Sequence, residues 1–395
     1  MIKGLYAKGK AMNRSVRCSA VLLFIIYLVL PSAGHVPVYP APQTLPVDAA
    51  FDEIAKFISG IPCDLEDLKA LQETAEWKAF AAGLEKSWAE LEAKRMGASR
   101  SWAQTELAEA NAATRVLFYP FGGPDFLTAF ELFPDADSYV LMGLEFIGKL
   151  PEFTKGAPNE AKHIEAYLGN LTAALADFFN KSYFITKNMN TTLARDRVDG
   201  VLPVICFFLK RTNNSISAVR RVEVMENGQL LEYDFVFPRK RTVRPYGIKI
   251  EFFTNGTKRL RSLYYFSCDL SDGPFAKDKP FYLYTDSLNF ETAFIKSASY
   301  LLHYETFTNI RNIVLRKSRF VLEDDTGIPF RYFKPAEWDA QLYGEYIKPV
   351  SDFKGVEQLD LEEAYKDPVR VKKLPFHLGY HWGTNKDSIL YFKRR

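Results

Sequence analysis

The chain has 395 residues, of which 47% are hydrophobic and 15% aromatic, so it can bury a large core without the help of disulfide bonds. Its formal net charge is +3, but the first 34 residues contain five basic residues and no acidic one. The rest of the chain is therefore slightly acidic, which argues against binding to nucleic acid or to an anionic membrane surface.

The first 34 residues have the layout of a cleavable signal peptide. Their basic residues precede an apolar run at residues 20–30, and small residues follow at 32–34. We expect cleavage before His35 and export, so that the protein is secreted or periplasmic. The apolar run falls short of the about 20 residues that a stable transmembrane helix needs, so no membrane span is expected after cleavage. An uncleaved N-terminal membrane anchor is the alternative.

Two segments connect this leader to the rest of the chain. Residues 35–48 contain four prolines and predict an extended tether. Residues 49–113 carry apolar side chains at helical spacing, among them Trp77, Leu84 and Trp88. We interpret this second segment as a helical cap on a core formed by residues 114–395. A helical arm that binds a partner protein is the alternative.

Residues 114–148 predict a strand, a turn, a helix and a second strand. The first strand is a short apolar run, and the turn contains Gly122 and Gly123, which permit backbone conformations closed to other residues. Asp125 stands at a helix N-cap position, and the second strand ends at Glu145. Because this unit is long enough to connect two parallel strands, we expect a parallel sheet with helices packed on it.

This unit resembles the first βαβ unit of class I S-adenosylmethionine-dependent methyltransferases. The glycine turn, the Phe-Pro-Asp-Ala break at residues 133–136 and the acidic end of the second strand match that family's pattern. The resemblance implies a Rossmann-like core whose glycine turn approaches the cofactor and whose acidic residue accepts hydrogen bonds from the ribose hydroxyls. It implies a cofactor site formed by Gly122, Gly123, Asp125 and Glu145.

The glycine turn also departs from that pattern. The family has an acidic residue near the end of the first strand, followed by G-x-G, whereas this chain has Tyr119 near the strand end and Pro120 and Pro124 around the glycines. Proline removes a backbone N–H donor and stiffens the turn. The alternative interpretation is that Gly122 and Gly123 only turn the chain and that no cofactor binds there.

The second half of the chain adds antiparallel structure. Asn-Gly pairs at residues 227–228 and 255–256 each lie between two apolar segments, which is the strongest short signal for a β-hairpin. Residues 160–179 predict a helix, and residues 201–209 predict a buried strand. The predicted fold is therefore α/β, with a Rossmann-like methyltransferase-type core, an N-terminal helical cap and an antiparallel β-hairpin extension at about 217–268.

A second candidate site combines a predicted helix with the end of a later strand. Residues 290–303 predict a helix that carries Lys296 and His303 on one stripe. Asp324 and Asp325 follow a predicted strand, where carboxylates can enter the crevice beside a parallel sheet. Together these side chains predict general acid–base catalysis or coordination of a divalent cation. The alternative is ordinary turn chemistry at the two aspartates and a solvated face of the helix.

Three cysteines follow the leader, namely Cys63, Cys206 and Cys268. Three cysteines allow at most one internal disulfide bond, and their spacing shows no metal-ligand pair. Cys206 and Cys268 lie in apolar runs, so we expect both to be buried as small hydrophobic side chains.

Three functions are compatible with the sequence. The first is an exported binding or structural protein on a methyltransferase-type scaffold that no longer methylates, with an unknown small molecule or a component of the cell envelope as its partner. The second is an acid–base hydrolase whose crevice includes Asp324 and Asp325. The third is a functional methyltransferase with Glu145 on the ribose. We favour the first, because the leader predicts export and S-adenosylmethionine is an intracellular cofactor.

Overall fold

The computed structural model describes residues 45–153, 160–234, 246–346, 348–381 and 386–395. The predicted signal peptide and most of the predicted tether lie outside these described residues. The described chain is organised around one sheet of eleven strands. Its strands are β1 (Val116–Tyr119), β2 (Ser138–Gly143), β3 (Asn214–Val224), β4 (Leu230–Asp234), β5 (Tyr246–Thr254), β6 (Arg261–Ser267), β7 (Thr292–Ile295), β8 (Phe320–Asp324), β9 (Trp338–Gly344), β10 (Val371–Lys372) and β11 (Ser388–Arg394).

Five neighbouring strands form the parallel centre of the sheet, in the order β6, β2, β1, β7 and β8. Numbered along the chain, these parallel strands stand in the order 3-2-1-4-5, as in a Rossmann-type sheet. The order reverses at β1, and such a switch point leaves a crevice beside the carboxyl ends of the strands. The predicted α/β fold is confirmed, and the sheet is compatible with a Rossmann-like core.

Antiparallel strands extend this centre on both sides. Next to β8, the antiparallel strand β11 is followed by β9 and then by β10. On the other side, β6, β5, β3 and β4 form an antiparallel ladder. Both predicted hairpins are confirmed, and their Asn-Gly turns place Gly228 and Gly256 at positive φ.

Helices cover both faces of the sheet. The first face carries α1 (Ala49–Ile58), α2 (Glu66–Gln72), α3 (Ala75–Leu91), α4 (Gly97–Glu106), α5 (Ala108–Ala113), α6 (Phe126–Leu132), α7 (Glu160–Lys181), α8 (Thr186–Thr192) and α9 (Leu202–Arg211). The second face carries α10 (Asp272–Lys277), α11 (Lys279–Ser287), α12 (Thr308–Lys317) and α13 (Leu359–Ala364). None of the helices in the described part of the chain is both long enough and apolar enough to span a membrane.

The side chains of β1 show why two layers of helices are needed. Leu117 and Tyr119 point into the core beneath the first nine helices, whereas Phe118 points into the core on the opposite face. A strand that is apolar on both faces is stable only when both faces are covered. The helices predicted within residues 49–113 are present and belong to the first of these two layers.

A buried ion pair attaches the N-terminal helices to the sheet. Asp52 of α1 accepts hydrogen bonds from the Lys210 ammonium of α9 at 2.7 Å and from the Ile216 amide of β3 at 2.8 Å. Both charged side chains are almost fully buried. The Asp52 carboxylate therefore joins α1 to α9 and to β3. Burying this carboxylate without these hydrogen-bond partners would be strongly unfavourable.

Two predicted elements are wrong. Residues 202–209 belong to the helix α9 rather than to a strand. Every residue from Leu202 to Lys210 is buried, and the periodicity of a short, mostly apolar run cannot distinguish a buried helix from a buried strand. Residues 290–303 do not form a helix. They contain the short buried strand β7, a turn and one 3₁₀ turn at Leu301–His303. A buried strand of four residues is too short for its period to be recognised.

Candidate functional site

A pocket of about 430 Å³ lies beside the carboxyl ends of the parallel strands. Its wall includes residues that directly follow β1, β2, β6 and β7, among them Gly122, Glu145, Asp269 and Lys296. Its volume is within the range of about 300–1,000 Å³ that small-molecule sites occupy. The location is the crevice expected at a topological switch point.

The glycine turn after β1 forms part of the pocket wall, but internal contacts explain its glycines. A side chain at Gly122 would place a Cβ atom 2.7 Å from the ring of Tyr119. Gly123 has a φ of +53°, and its N–H donates to the carbonyl of Met142 in β2 at 3.1 Å. Both glycines are thus needed for the turn to pack against β1 and β2. The close approach of a ligand is not required to explain them.

Glu145 follows β2 and lies against this turn. Its Oε2 atom would be 2.7 Å from a Cβ atom built on Gly143, which leaves no room for a larger residue there. Burial raises the pKa of the Glu145 carboxyl above its usual value. The Tyr265 hydroxyl donates to the backbone carbonyl of Glu145 at 2.7 Å and so fixes the end of β2. The structure places Gly122, Gly123, Asp125 and Glu145 in the lining of one pocket.

Asp125 and Lys296 form a buried ion pair at the pocket wall. The Asp125 Oδ1 atom accepts from the Thr128 amide at 3.0 Å and caps α6, while Oδ2 accepts from the Lys296 ammonium at 2.5 Å. Oδ2 also accepts from the Tyr119 hydroxyl at 3.0 Å. Burial lowers the pKa of Lys296, and the charge of Asp125 opposes that effect. Lys296 also donates to the carbonyl of Ser182 at 2.6 Å, so the pair joins three segments of the chain.

The segment after β7 has an unusual backbone. Ser297, Ser299 and Tyr300 have φ values of +52°, +52° and +56°, in the left-handed region that residues other than glycine seldom adopt. Asp324 accepts a hydrogen bond from the Ser297 amide at 2.8 Å, and Asp325 accepts one from the Tyr300 hydroxyl at 2.5 Å. The two carboxylates therefore hold the strained segment in place.

Asp324 and Asp325 are 3% and 4% exposed, and the described lining of the pocket includes neither of them. Burial raises the pKa of Asp324 to about 7 and that of Asp325 to about 6, and the charge of Asp325 adds to the effect at Asp324. They lie behind the pocket wall and bind the backbone and side chains of the segment after β7. In this structure both aspartates support the segment after β7. Their catalytic role stays a prediction.

His303 does not share a helical stripe with Lys296, since the predicted helix does not exist. It lies in the 3₁₀ turn beside Tyr300, with the ring centroids 5.2 Å apart. Burial, aided by the charge of Arg331, lowers the pKa of His303 to about 4. Within the described residues, its buried Nε2 atom has no hydrogen-bond partner. Of the four predicted catalytic residues, only Lys296 belongs to the described lining of the pocket.

Three aromatic rings, which we call the aromatic corner, form a part of the pocket wall that the sequence did not predict. They are Tyr183, Phe353 and Tyr380. The rings of Tyr183 and Tyr380 are perpendicular, at 83° and 4.7 Å between centroids, and Phe353 stacks on Tyr380 at 17° and 5.7 Å. The residues come from three distant segments of the chain, so no local pattern could have connected them.

The described residues contain no group of three or more histidine, cysteine, aspartate or glutamate side chains placed to hold a metal ion. Cys63, Cys206 and Cys268 are all buried and free, and burial raises the pKa of each thiol. Comparison of the chain with protein-family models and with curated protein sequences found no match.

Proposed function

We propose that this protein binds a small molecule in the pocket at the carboxyl ends of β1, β2, β6 and β7. The scaffold is a Rossmann-like, methyltransferase-type core that does not transfer methyl groups. The observation that carries the proposal is the pocket itself, which combines a ligand-sized volume with buried polar groups at three strand ends, Asp125 after β1, Glu145 after β2 and Lys296 after β7. Those groups are fixed by hydrogen bonds within the protein, so the site is formed before any ligand arrives.

The strand order supports the Rossmann-like part of the proposal. Counted along the chain, the first five parallel strands follow the Rossmann order, and the antiparallel strand β11 lies between the fifth parallel strand, β8, and the sixth, β9. The antiparallel extension of β5, β3 and β4 is an addition to that core.

The turn after β1 supports the loss of methyl transfer. Its departures from the family pattern are Tyr119 in place of an acidic residue and two prolines around the glycines. The Tyr119 ring lies directly beneath Gly122, and the Tyr119 hydroxyl binds Asp125. The residues that the resemblance assigns to a cofactor are therefore engaged in contacts within the protein. The predicted export, if correct, would also separate the protein from intracellular S-adenosylmethionine.

The geometry favours binding over acid–base hydrolysis. A catalytic carboxylate must come within hydrogen-bond distance of the substrate, at about 2.6–3.2 Å or through one water molecule. Asp324 and Asp325 instead accept hydrogen bonds from Ser297 and Tyr300, behind the pocket wall. The hydrolase would require the segment after β7 to move away from both carboxylates.

A thermal-shift screen with two matched leucine variants tests the proposal. Leu144 is 63% exposed and lines the pocket, whereas Leu359 is 77% exposed at the start of α13, away from it. A ligand present at 100 times its Kd stabilises a protein by about 2.7 kcal/mol. We expect small hydroxylated or amine-bearing compounds that raise the Tm of the protein and of Leu359→Trp, with a smaller shift for Leu144→Trp.

Two results would contradict the proposal. One is a screen in which no small molecule stabilises the protein, although Leu359→Trp and the parent unfold cooperatively. The other is a set of stabilising compounds whose shifts are equal in Leu144→Trp and Leu359→Trp, since such compounds would bind elsewhere.

A further inference from the structure

The charges around the pocket are unbalanced. Its described lining contains four carboxylates but only two ammonium groups, Lys187 and Lys296. Lys296 is committed to one of the carboxylates, Asp125, in the buried ion pair. Of the other acidic residues in the described lining, Glu145 is buried, whereas Asp269 and Asp352 are exposed, as is Lys187. A pocket of this composition repels anions and attracts a cation or a hydroxylated neutral group.

The aromatic corner offers a surface of the kind that binds organic cations. Tyr183 and Tyr380 pack edge to face with their ring centroids 4.7 Å apart, and Phe353 stacks on Tyr380. All three rings are half-buried, and the ring surface that their neighbours leave uncovered lines the pocket. The faces of aromatic rings carry negative charge density and attract ammonium groups within about 6 Å. Asp352 directly precedes Phe353 and lines the same pocket, so a carboxylate stands next to the rings.

The rings are held in position by hydrogen bonds and packing. The Tyr380 hydroxyl donates to the Ser297 carbonyl at 2.9 Å and lies 2.9 Å from the Ser299 Oγ atom. Tyr300 packs against the Phe353 ring at 5.0 Å, and its own hydroxyl is fixed by Asp325. This arrangement reduces the ordering required when a ligand binds.

We propose that the aromatic corner binds a cationic amine, such as an alkylammonium group, as part of the ligand that the pocket takes. The inference rests on the proposed function of the pocket as a ligand site. It adds the chemical class of the ligand and assigns Tyr183, Phe353 and Tyr380 to the recognition of its charge, with Asp352 as the neighbouring counter-charge.

The test compares choline with its neutral carbon isostere, dimethylbutanol, by titration of the purified protein. The two probes have the same shape and differ in charge, so their difference reports the recognition of the cation. We expect choline to bind about five- to thirtyfold more tightly than the isostere, in line with partly desolvated cation–π contacts. Equal affinity of the two probes, or no binding of choline, would overturn the inference.

Two phenylalanine variants test whether choline binds at the aromatic corner. Phe353→Leu removes a ring of the aromatic corner, whereas Phe307→Leu removes a ring that lines the same pocket and packs against Phe121. We expect Phe353→Leu to reduce the affinity for choline by about fivefold or more, and Phe307→Leu to reduce it by less than about twofold. Equal losses would place the cation outside the aromatic corner and contradict the proposal.

The thermal-shift screen separates this inference from the more general one. If the screen finds pocket ligands but choline and its isostere bind equally, the general function stands and the cation subsite fails.

Discussion

Lys296 illustrates how one side chain can organise a site. Its ammonium binds Asp125 after β1, the hydroxyl of Thr128 at the start of α6 and the carbonyl of Ser182 after α7. Asp125 and Thr128 belong to the same segment and Lys296 itself directly follows β7, so three segments of the chain meet at one nitrogen atom. Removing one partner of such a buried pair leaves an uncompensated charge, which costs far more than the pair contributes.

A double-mutant cycle on this pair tests the argument. We expect Lys296→Met to lower the free energy of unfolding by about 3–5 kcal/mol, because it leaves the Asp125 carboxylate buried without its counter-charge. Adding Asp125→Asn should recover part of that loss, since the amide removes the charge and keeps an oxygen for the cap of α6. Urea unfolding followed by circular dichroism measures both changes.

Lys94→Met is the matched control, because Lys94 pairs with Glu90 on an exposed helical surface. It should leave the stability nearly unchanged. If Lys296→Met were as stable as Lys94→Met, the buried pair would not organise the pocket.

At the scale of elements, the end of β8 supports the segment after β7. The pKa values of Asp324 and Asp325 are raised to about 7 and about 6, so the folded protein retains these protons at pH values where the unfolded chain has lost them. Their contribution to stability is full below the unfolded pKa of 3.8 and is lost as the pH rises through about 6 to 7. The junction of the two elements should therefore be sensitive to pH.

Asp324→Asn should reduce this sensitivity. We expect the free energy of unfolding to fall less in the variant than in the parent between about pH 5 and about pH 7, by about 2 kcal/mol over that range. Asp360→Asn, at an exposed position of α13, should keep the parental dependence. Denaturant titrations at a series of pH values measure the slopes. An Asp324→Asn slope equal to that of the parent would mean that this carboxyl does not titrate in that range.

The junction of β1 and β2 is also tightly packed. A Cβ atom at Gly143 would lie 2.7 Å from the Glu145 Oε2 atom and 2.9 Å from the Gly123 Cα atom, whereas a Cβ atom at Gly83 in α3 would meet nothing within 4 Å. We expect Gly143→Ala to destabilise the protein by about 1–3 kcal/mol through overpacking. Gly83→Ala should stabilise it by up to about 1 kcal/mol, because alanine is the better helix former. Chemical denaturation measures the change in the free energy of unfolding of both variants, which should have opposite signs. An unchanged free energy of unfolding in Gly143→Ala would refute the tight packing.

At the scale of the whole molecule, the parts that sequence patterns predicted are those with local signals. The central strand, turn, helix and strand were predicted because Asp125 caps its helix and the glycines mark the turn. The two hairpins were predicted because an Asn-Gly pair marks the turn of each. Helix α9 and strand β7 were missed, because both are short runs of buried, mostly apolar residues that periodicity alone cannot assign to a helix or a strand.

The residues of the candidate site show the same difference between local patterns, which the sequence reveals, and contacts between distant segments, which it does not. Gly122, Gly123, Asp125 and Glu145 line one pocket, because they belong to one continuous unit of the chain. Lys296 joins them from the end of a strand rather than from the predicted helix. The aromatic corner could not be foreseen, since its rings come together only when distant loops pack over the ends of the parallel strands.

The most direct test of the central claim is a calorimetric titration of the purified protein with S-adenosylhomocysteine, with choline titrated into the same preparation. The account predicts saturable binding of choline and no saturable heat with S-adenosylhomocysteine at micromolar concentrations, because we propose that the pocket binds a cationic amine and that the glycine turn does not bind the methyl-transfer cofactor. Micromolar binding of S-adenosylhomocysteine that disappears in Glu145→Ala would contradict the account and indicate a working methyltransferase site.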